Sequence, residues 1–147
     1  MATSPLVNRI DLPSGPQAAP IAREFITRSF ADREAVEVRE LLRLAASELV
    51  GNAVRHAGGA RSISCSAVGG AIVVEVEDGG GPFALAVEPP GDGEACSGRG
   101  LFLVWALGCG LGSGPVRGGG KWVRAEVVTE LPAQAPALGR PFVVARL

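Results

Sequence analysis

The sequence has little that would attract nucleic acid, anchor it in a membrane or cross-link it. Its formal net charge is -1 at pH 7, so no overall field favours nucleic acid or an anionic membrane surface. No apolar run reaches transmembrane length, and the N-terminus lacks the regions of a signal peptide. Cys65, Cys96 and Cys109 are an odd, scattered set, which indicates neither a disulfide framework nor a zinc site. We therefore expect a cytoplasmic protein without direct nucleic-acid or membrane contacts.

Glycine is the residue type in excess, with 21 copies in 147 residues. Many of these glycines form short clusters between apolar segments, a pattern typical of turns and close backbone approaches rather than a flexible tail. The length and the apolar share of 47% favour one globular domain. We place this domain at residues 1–131. Residues 132–147 form a tail rich in proline and alanine, with a possible last strand at Phe142-Val143-Val144.

Hydrophobic periodicity and glycine or proline punctuation predict helices and strands along the domain. In chain order they are an edge strand at 6–12, helices at 17–31 and 35–56, a hairpin of 62–68 and 71–77, a helix at 100–107, and strands at 110–116 and 121–129. This grouping predicts an α+β fold, a two-layer sandwich with helices on one face of a mixed, largely antiparallel sheet.

The long second helix carries an unusual polar stripe. Glu48, Asn52 and His56 recur at every fourth residue, so they share one helix face. A carboxylate one turn before a carboxamide suits metal-dependent phosphoryl chemistry, since the first can accept a proton and the second can bind magnesium through its oxygen. A solvated polar stripe is the other interpretation of this triplet.

Two glycine-rich segments downstream extend the pattern. Asp78-Gly79-Gly80-Gly81 follows a predicted strand, where the aspartate can accept a hydrogen bond from an exocyclic amine and the glycines leave room for a flat ring. Ser97-Gly98-Arg99-Gly100-Leu101 opens a predicted helix, whose free N–H groups can hold phosphate. Taken singly, the first could be an ordinary turn and the second an ordinary helix start.

Together and in this order, the three segments resemble the N, G1 and G2 boxes of the GHKL superfamily of ATPases. The resemblance covers roughly residues 6–128 and is nearest to the anti-sigma-factor serine kinases and their stand-alone relatives. It implies the Bergerat fold, with ATP and magnesium bound between the helices and the sheet.

The resemblance also implies a role for each matching residue. Glu48 would be the general base and Asn52 the magnesium ligand, while Asp78 would bind the adenine amino group. Gly80 would lie against the adenine ring, and residues 82–97 would form a lid. The G2 box would hold the phosphates through Gly98, Arg99, Gly100 and Leu101.

The sequence departs from the family pattern at the lid and at the last box. Pro82 stands where many relatives have a glycine, which predicts a stiffer hinge. After Lys121, relatives often have a threonine where this chain has Trp122, so we expect a hydroxyl to be missing near the adenine. We expect Lys121 to be a solvated charge at a strand end, and Cys65 and Cys109 to be packing residues. His56 is either a partner of the phosphate site or a solvent-facing side chain.

The implied function is that of a regulatory kinase. Such a protein transfers the γ-phosphate of ATP to a serine or threonine of an anti-sigma-factor antagonist, sequesters a sigma factor, or does both; its relatives commonly form homodimers. The alternative is a module that binds ATP and a partner without transferring phosphate. The presence of both Glu48 and Asn52 favours the enzyme, because binding alone does not require a base. The catalytic half of a histidine kinase is a weaker third interpretation.

Overall fold

The predicted elements are present in the computed structural model, which describes residues 6–30, 34, 36–68, 70–81 and 99–129. They are β1 (Leu6–Asp11), α1 (Ala18–Phe30), α2 (Val36–Ala57), β2 (Ala60–Val68), β3 (Ala71–Asp78), α3 (Arg99–Ala106), β4 (Gly110–Pro115) and β5 (Lys121–Val128). The predicted lid at 82–97, with Pro82 and Cys96, lies outside the described residues, as do Gly98 and the tail.

The five strands form one sheet in the order β1-β2-β3-β5-β4. All of the strand pairings that the structure describes are antiparallel, and β1 lies at an edge, as predicted. The α+β prediction is confirmed. The order places β5 beside β3, so the ends of two strands that are distant in the chain become neighbours.

The helices cover one face of this sheet, because apolar side chains lie at every second position of the strands and so all point to that face. In β3 every second residue is buried, namely Ile72, Val74, Val76 and Asp78, and in β5 Lys121, Val123, Ala125 and Val127 are buried. α2 contacts β3, β2 and β5, while α1 and α3 pack against α2. Each fully buried valine or leucine stabilises this interface by about 1.5–3 kcal/mol. Two polar residues, Asp78 and Lys121, therefore share the buried face with the apolar core.

α2 is the longest helix and ends where the glycines predict. Gly58 has a left-handed φ of 74°, and the Gly59 N–H donates to the Ala53 carbonyl at 3.1 Å, which satisfies a backbone group at the helix end. None of the helices among the described residues is long and apolar enough to cross a membrane. The chain turns back into β2 directly after this cap, which brings the end of α2 to the end of β3.

Two cysteines belong to the core, as predicted. Cys65 and Cys109 are buried and form no disulfide. Burial raises the pKa of the Cys65 thiol, while hydrogen bonds with Ser29 and with the Asn8 backbone oppose this rise. The thiol is therefore a packing group rather than a reactive one.

The outer face of the sheet carries several charged side chains, and Glu75 is one that is half-buried. It faces Arg124 across the β3–β5 pairing. Burial raises the pKa of its carboxyl above the ordinary value of 4.5, and Arg124 lowers it only in part. The unfolded chain therefore loses this proton at a lower pH than the folded protein, so ionisation of Glu75 favours unfolding.

We expect Glu75→Gln to raise the free energy of unfolding at pH 7 by about 0.5 kcal/mol, a small gain because solvent still reaches the side chain. Below pH 4 the gain should vanish, since glutamate is then protonated in both states. Urea unfolding at the two pH values measures this. The matched control is Glu126→Gln, which changes an exposed glutamate on the same face of the sheet and should not stabilise. An equal gain for both variants would show that burial of Glu75 is not the cause.

Candidate functional site

A buried ion pair joins the start of β5 to the end of β3. Lys121 lies directly opposite Asp78 in the antiparallel register, and its Nζ donates to Asp78 Oδ1 at 2.7 Å. The side chains are 5% and 1% exposed. The same carboxylate oxygen accepts the Gly80 N–H at 2.8 Å. Two donors thus hold the carboxylate that the sequence identifies as the base-binding group.

The prediction for Lys121 was wrong. It was expected to be a solvated charge at a strand end, yet it is buried and paired. Every second residue of β5 faces the helices, namely Val123, Ala125 and Val127. Lys121 lies two residues before Val123, so it faces the same way. This alternation was the signal in the sequence from which the burial of Lys121 could have been predicted.

Gly80 is closely enclosed on one side. A Cβ built there would lie 2.6 Å from Lys121 Nζ, 2.9 Å from Ala57 Cβ and 3.0 Å from Asp78 Oδ1. The first two distances are shorter than real Cβ contacts, so a side chain at this position would force Lys121 or Ala57 to shift. Ala57 is the last residue of α2, and the contact therefore brings the helix end to the Asp78–Lys121 pair.

The glycine loop before β5 closes over the same strand ends. Gly118 and Gly120 both have left-handed φ values, of 94° and 98°. A Cβ at Gly120 would clash with the backbone oxygen of Asp78, whereas a Cβ at Gly118 would meet nothing within 4 Å. Arg61 of β2, which the sequence analysis did not single out, donates from Nη1 to the Gly119 carbonyl at 3.0 Å.

We expect Gly120→Ala to lower the free energy of unfolding by about 2–4 kcal/mol, from left-handed strain of about 1 kcal/mol and the forced separation of β3 from the loop. Gly118→Ala, the matched control, carries the strain alone and should lose about 1 kcal/mol. Thermal and urea unfolding measure both. Equal losses would mean that the loop moves away from Asp78 at little cost.

Trp122 points away from this site. It follows Lys121 on β5, so it lies on the opposite face of the sheet. There it packs over Gly114, its register partner, and under the Arg124 guanidinium, which lies 4.6 Å from the ring centroid. Position 121, and not position 122, therefore faces Asp78, and the absence of a hydroxyl near the adenine stays a prediction.

Glu48 and Asn52 lie further back along α2. They are one helical turn apart; Asn52 is buried at 7% exposure, while Glu48 is partly exposed. From Glu48 to Ala57 the helix rises by about 13 Å. Glu48 and Asn52, which are predicted to act at the phosphates, thus lie away from the helix end that meets Gly80. His56, in the last turn, is exposed, in keeping with its solvent-facing interpretation.

The third predicted segment begins α3. The helix starts at Arg99 and Gly100, and Leu101 is buried at 6% exposure. α3 packs on α2, the helix that carries Asn52, and the N–H groups of its first turn have no partner within the helix. The buried Leu101 side chain anchors this turn by packing.

Comparison with known proteins gives the family. A family model described as a histidine kinase-like ATPase domain matches residues 12–125. The chain belongs to the histidine kinase-like ATPase family. No curated protein matches it.

Membership of the histidine kinase-like ATPase family implies that the chain binds ATP. The match spans α1 to β5, and it includes Glu48, Asn52, Asp78 and Lys121. Within the described part of the chain, no three histidine, cysteine or acidic side chains form a metal-binding group.

Proposed function

We propose that this histidine kinase-like ATPase is a protein kinase of the anti-sigma-factor serine kinase type, which binds ATP with magnesium and phosphorylates a serine or threonine of an anti-sigma-factor antagonist. The observation that carries the proposal is the arrangement along α2: Glu48 and Asn52 lie about 13 Å and 7 Å before the contact of Ala57 with Gly80. This separates a base-binding end from a phosphate end on one rigid element.

At the base-binding end, Asp78 accepts a hydrogen bond from the adenine amino group. Its contacts with Lys121 and Gly80 both involve Oδ1, so Oδ2 can accept from the base. Gly80 has no side chain, and the ring can approach the backbone beside it.

At the phosphate end, the family motif and the chemistry of the residues agree. The N–H groups at the start of α3, together with Gly98, Arg99 and Gly100, hold the phosphates, and the Asn52 side-chain oxygen binds magnesium. Magnesium, when bound, neutralises phosphate charge. Asn52 fits this role because its amide oxygen is a hard ligand and it lies one helical turn after Glu48 on the same face of α2.

Glu48 accepts the proton of the attacking hydroxyl. It is one helical turn from Asn52 and partly exposed, so a side chain of another protein can approach it. Phosphoryl transfer depends mainly on positioning, charge neutralisation and an oriented nucleophile. Asp78, Asn52 and Glu48, together with the start of α3, supply these three requirements. The partner is a small protein that presents a serine or threonine; a sigma factor is the second candidate, bound without transfer.

The proposal is tested by two measurements on the wild-type chain. Calorimetric titration with ATP, with and without magnesium, measures nucleotide binding. Incubation with labelled ATP and candidate antagonists then measures transfer to serine or threonine. Binding with transfer supports the kinase. Magnesium-dependent binding without labelling of any antagonist from the same genome would leave the binding module as the function.

A further inference from the structure

Lys121 is the residue at this site to which the proposed function gives no role. Its ammonium contacts the carboxylate that receives the base. We propose that Lys121 determines base specificity: its ion pair holds Oδ1 of Asp78 and leaves Oδ2 as a fixed hydrogen-bond acceptor, and so restricts the pocket to purines with a 6-amino group. This inference rests on the proposed nucleotide site.

A carboxylate as buried as Asp78 needs a counter-charge. Its side chain is 1% exposed, and an unpaired charge at such a position is costly. Lys121 Nζ supplies the opposite charge at 2.7 Å, and the Gly80 N–H supplies a second donor. Arg61 also reaches this end of the sheet, but it is exposed and donates to the Gly119 carbonyl.

The same contacts give the carboxylate its direction. Both donors use Oδ1, so Oδ2 is the oxygen presented to a ligand. Lys121 Nζ is itself enclosed, since even a methyl group at Gly80 would lie 2.6 Å from it. The ammonium therefore acts on the base through Asp78, as a positioning residue.

Base selection follows from donor and acceptor chemistry. An ionised carboxylate has no proton to donate. The 6-amino group of adenine donates a hydrogen bond, whereas the 6-oxo group of guanine or hypoxanthine accepts one. Two acceptors face each other when a 6-oxopurine enters, and the contact is repulsive. If Lys121 is removed, the carboxylate loses the ion pair that holds Oδ1, so Oδ2 is no longer fixed toward the base and the discrimination between the 6-amino and 6-oxo groups weakens.

The experiment compares the affinities for ATP and inosine triphosphate, which carries a 6-oxo group in place of the 6-amino group. Calorimetry with magnesium measures the ratio of the two dissociation constants. We expect the wild type to prefer ATP by about tenfold to a hundredfold, the equivalent of one hydrogen bond to a charged group. Lys121→Met should reduce the preference to about threefold or less, and Lys121→Arg, which keeps the charge, should retain most of it.

If Lys121→Met does not fold, because the buried Asp78 carboxylate has lost its counter-charge, a double variant tests the proposal. Asp78→Asn with Lys121→Met removes both charges, and its amide can accept from adenine or donate to a 6-oxo group. Its preference should also be about threefold or less. An unchanged preference in the folded variants would overturn the role of Lys121 while ATP binding stands. Failure of the wild type to bind ATP would instead overturn the proposed function, and this inference with it.

Discussion

Glu48→Gln is expected to bind ATP as the wild type does and to transfer phosphate about a hundredfold to ten-thousandfold more slowly, the usual effect of losing a general base. Glutamine has nearly the shape of glutamate but cannot accept the hydroxyl proton. Glu48 is partly exposed on α2, so the substitution should leave the core intact. Nucleotide affinity could only gain from the loss of a negative charge near the phosphates.

The assay follows labelled phosphate from ATP to a serine or threonine of an antagonist, beside a binding titration. Glu40→Gln is the matched control, because Glu40 is an exposed glutamate two turns earlier on the same helix. It should transfer at the wild-type rate. If Glu48→Gln also transfers at that rate, Glu48 is not the base.

Asn52→Ala is expected to remove most of the magnesium-dependent part of ATP affinity, a loss of about tenfold or more, as for a hydrogen bond to a charged group. The side chain is buried at 7% exposure on the helix face of Glu48, so its oxygen is positioned by α2. In the proposed site, its removal would leave magnesium with one fewer protein ligand. Affinity measured without magnesium should change little.

Calorimetry with magnesium and with a chelator measures the ATP affinity in the presence and in the absence of the metal. Far-UV circular dichroism checks the fold. Asn8→Ala is the control, because Asn8 donates to Ser29 between β1 and α1 (3.2 Å), away from the Asp78 end of the sheet. Equal magnesium-dependent affinity for Asn52→Ala and the wild type would rule out the metal role.

The helices and strands could be predicted from local sequence because their causes are local. The spacing of apolar residues in α2, the glycines after Ala57 and the alternation of β3 and β5 each depend on a few neighbouring residues, and the structure confirms the elements they predict. The polar stripe of Glu48 and Asn52 could likewise be found from helical periodicity alone. The family match over residues 12–125 agrees with the superfamily that three ordered motifs indicated.

The surroundings of Asp78 depended on tertiary structure. Lys121 is distant from Asp78 in the chain, and only the β3–β5 pairing sets them opposite each other. A shift of one residue in that register would have turned Lys121 outward and Trp122 toward Asp78, since neighbouring strand residues face opposite sides. Local sequence therefore determined which groups are present along α2 and at the end of β3. Strand register determined which cation meets the carboxylate, because a buried charge is stable only where a partner from another strand lies within hydrogen-bonding distance.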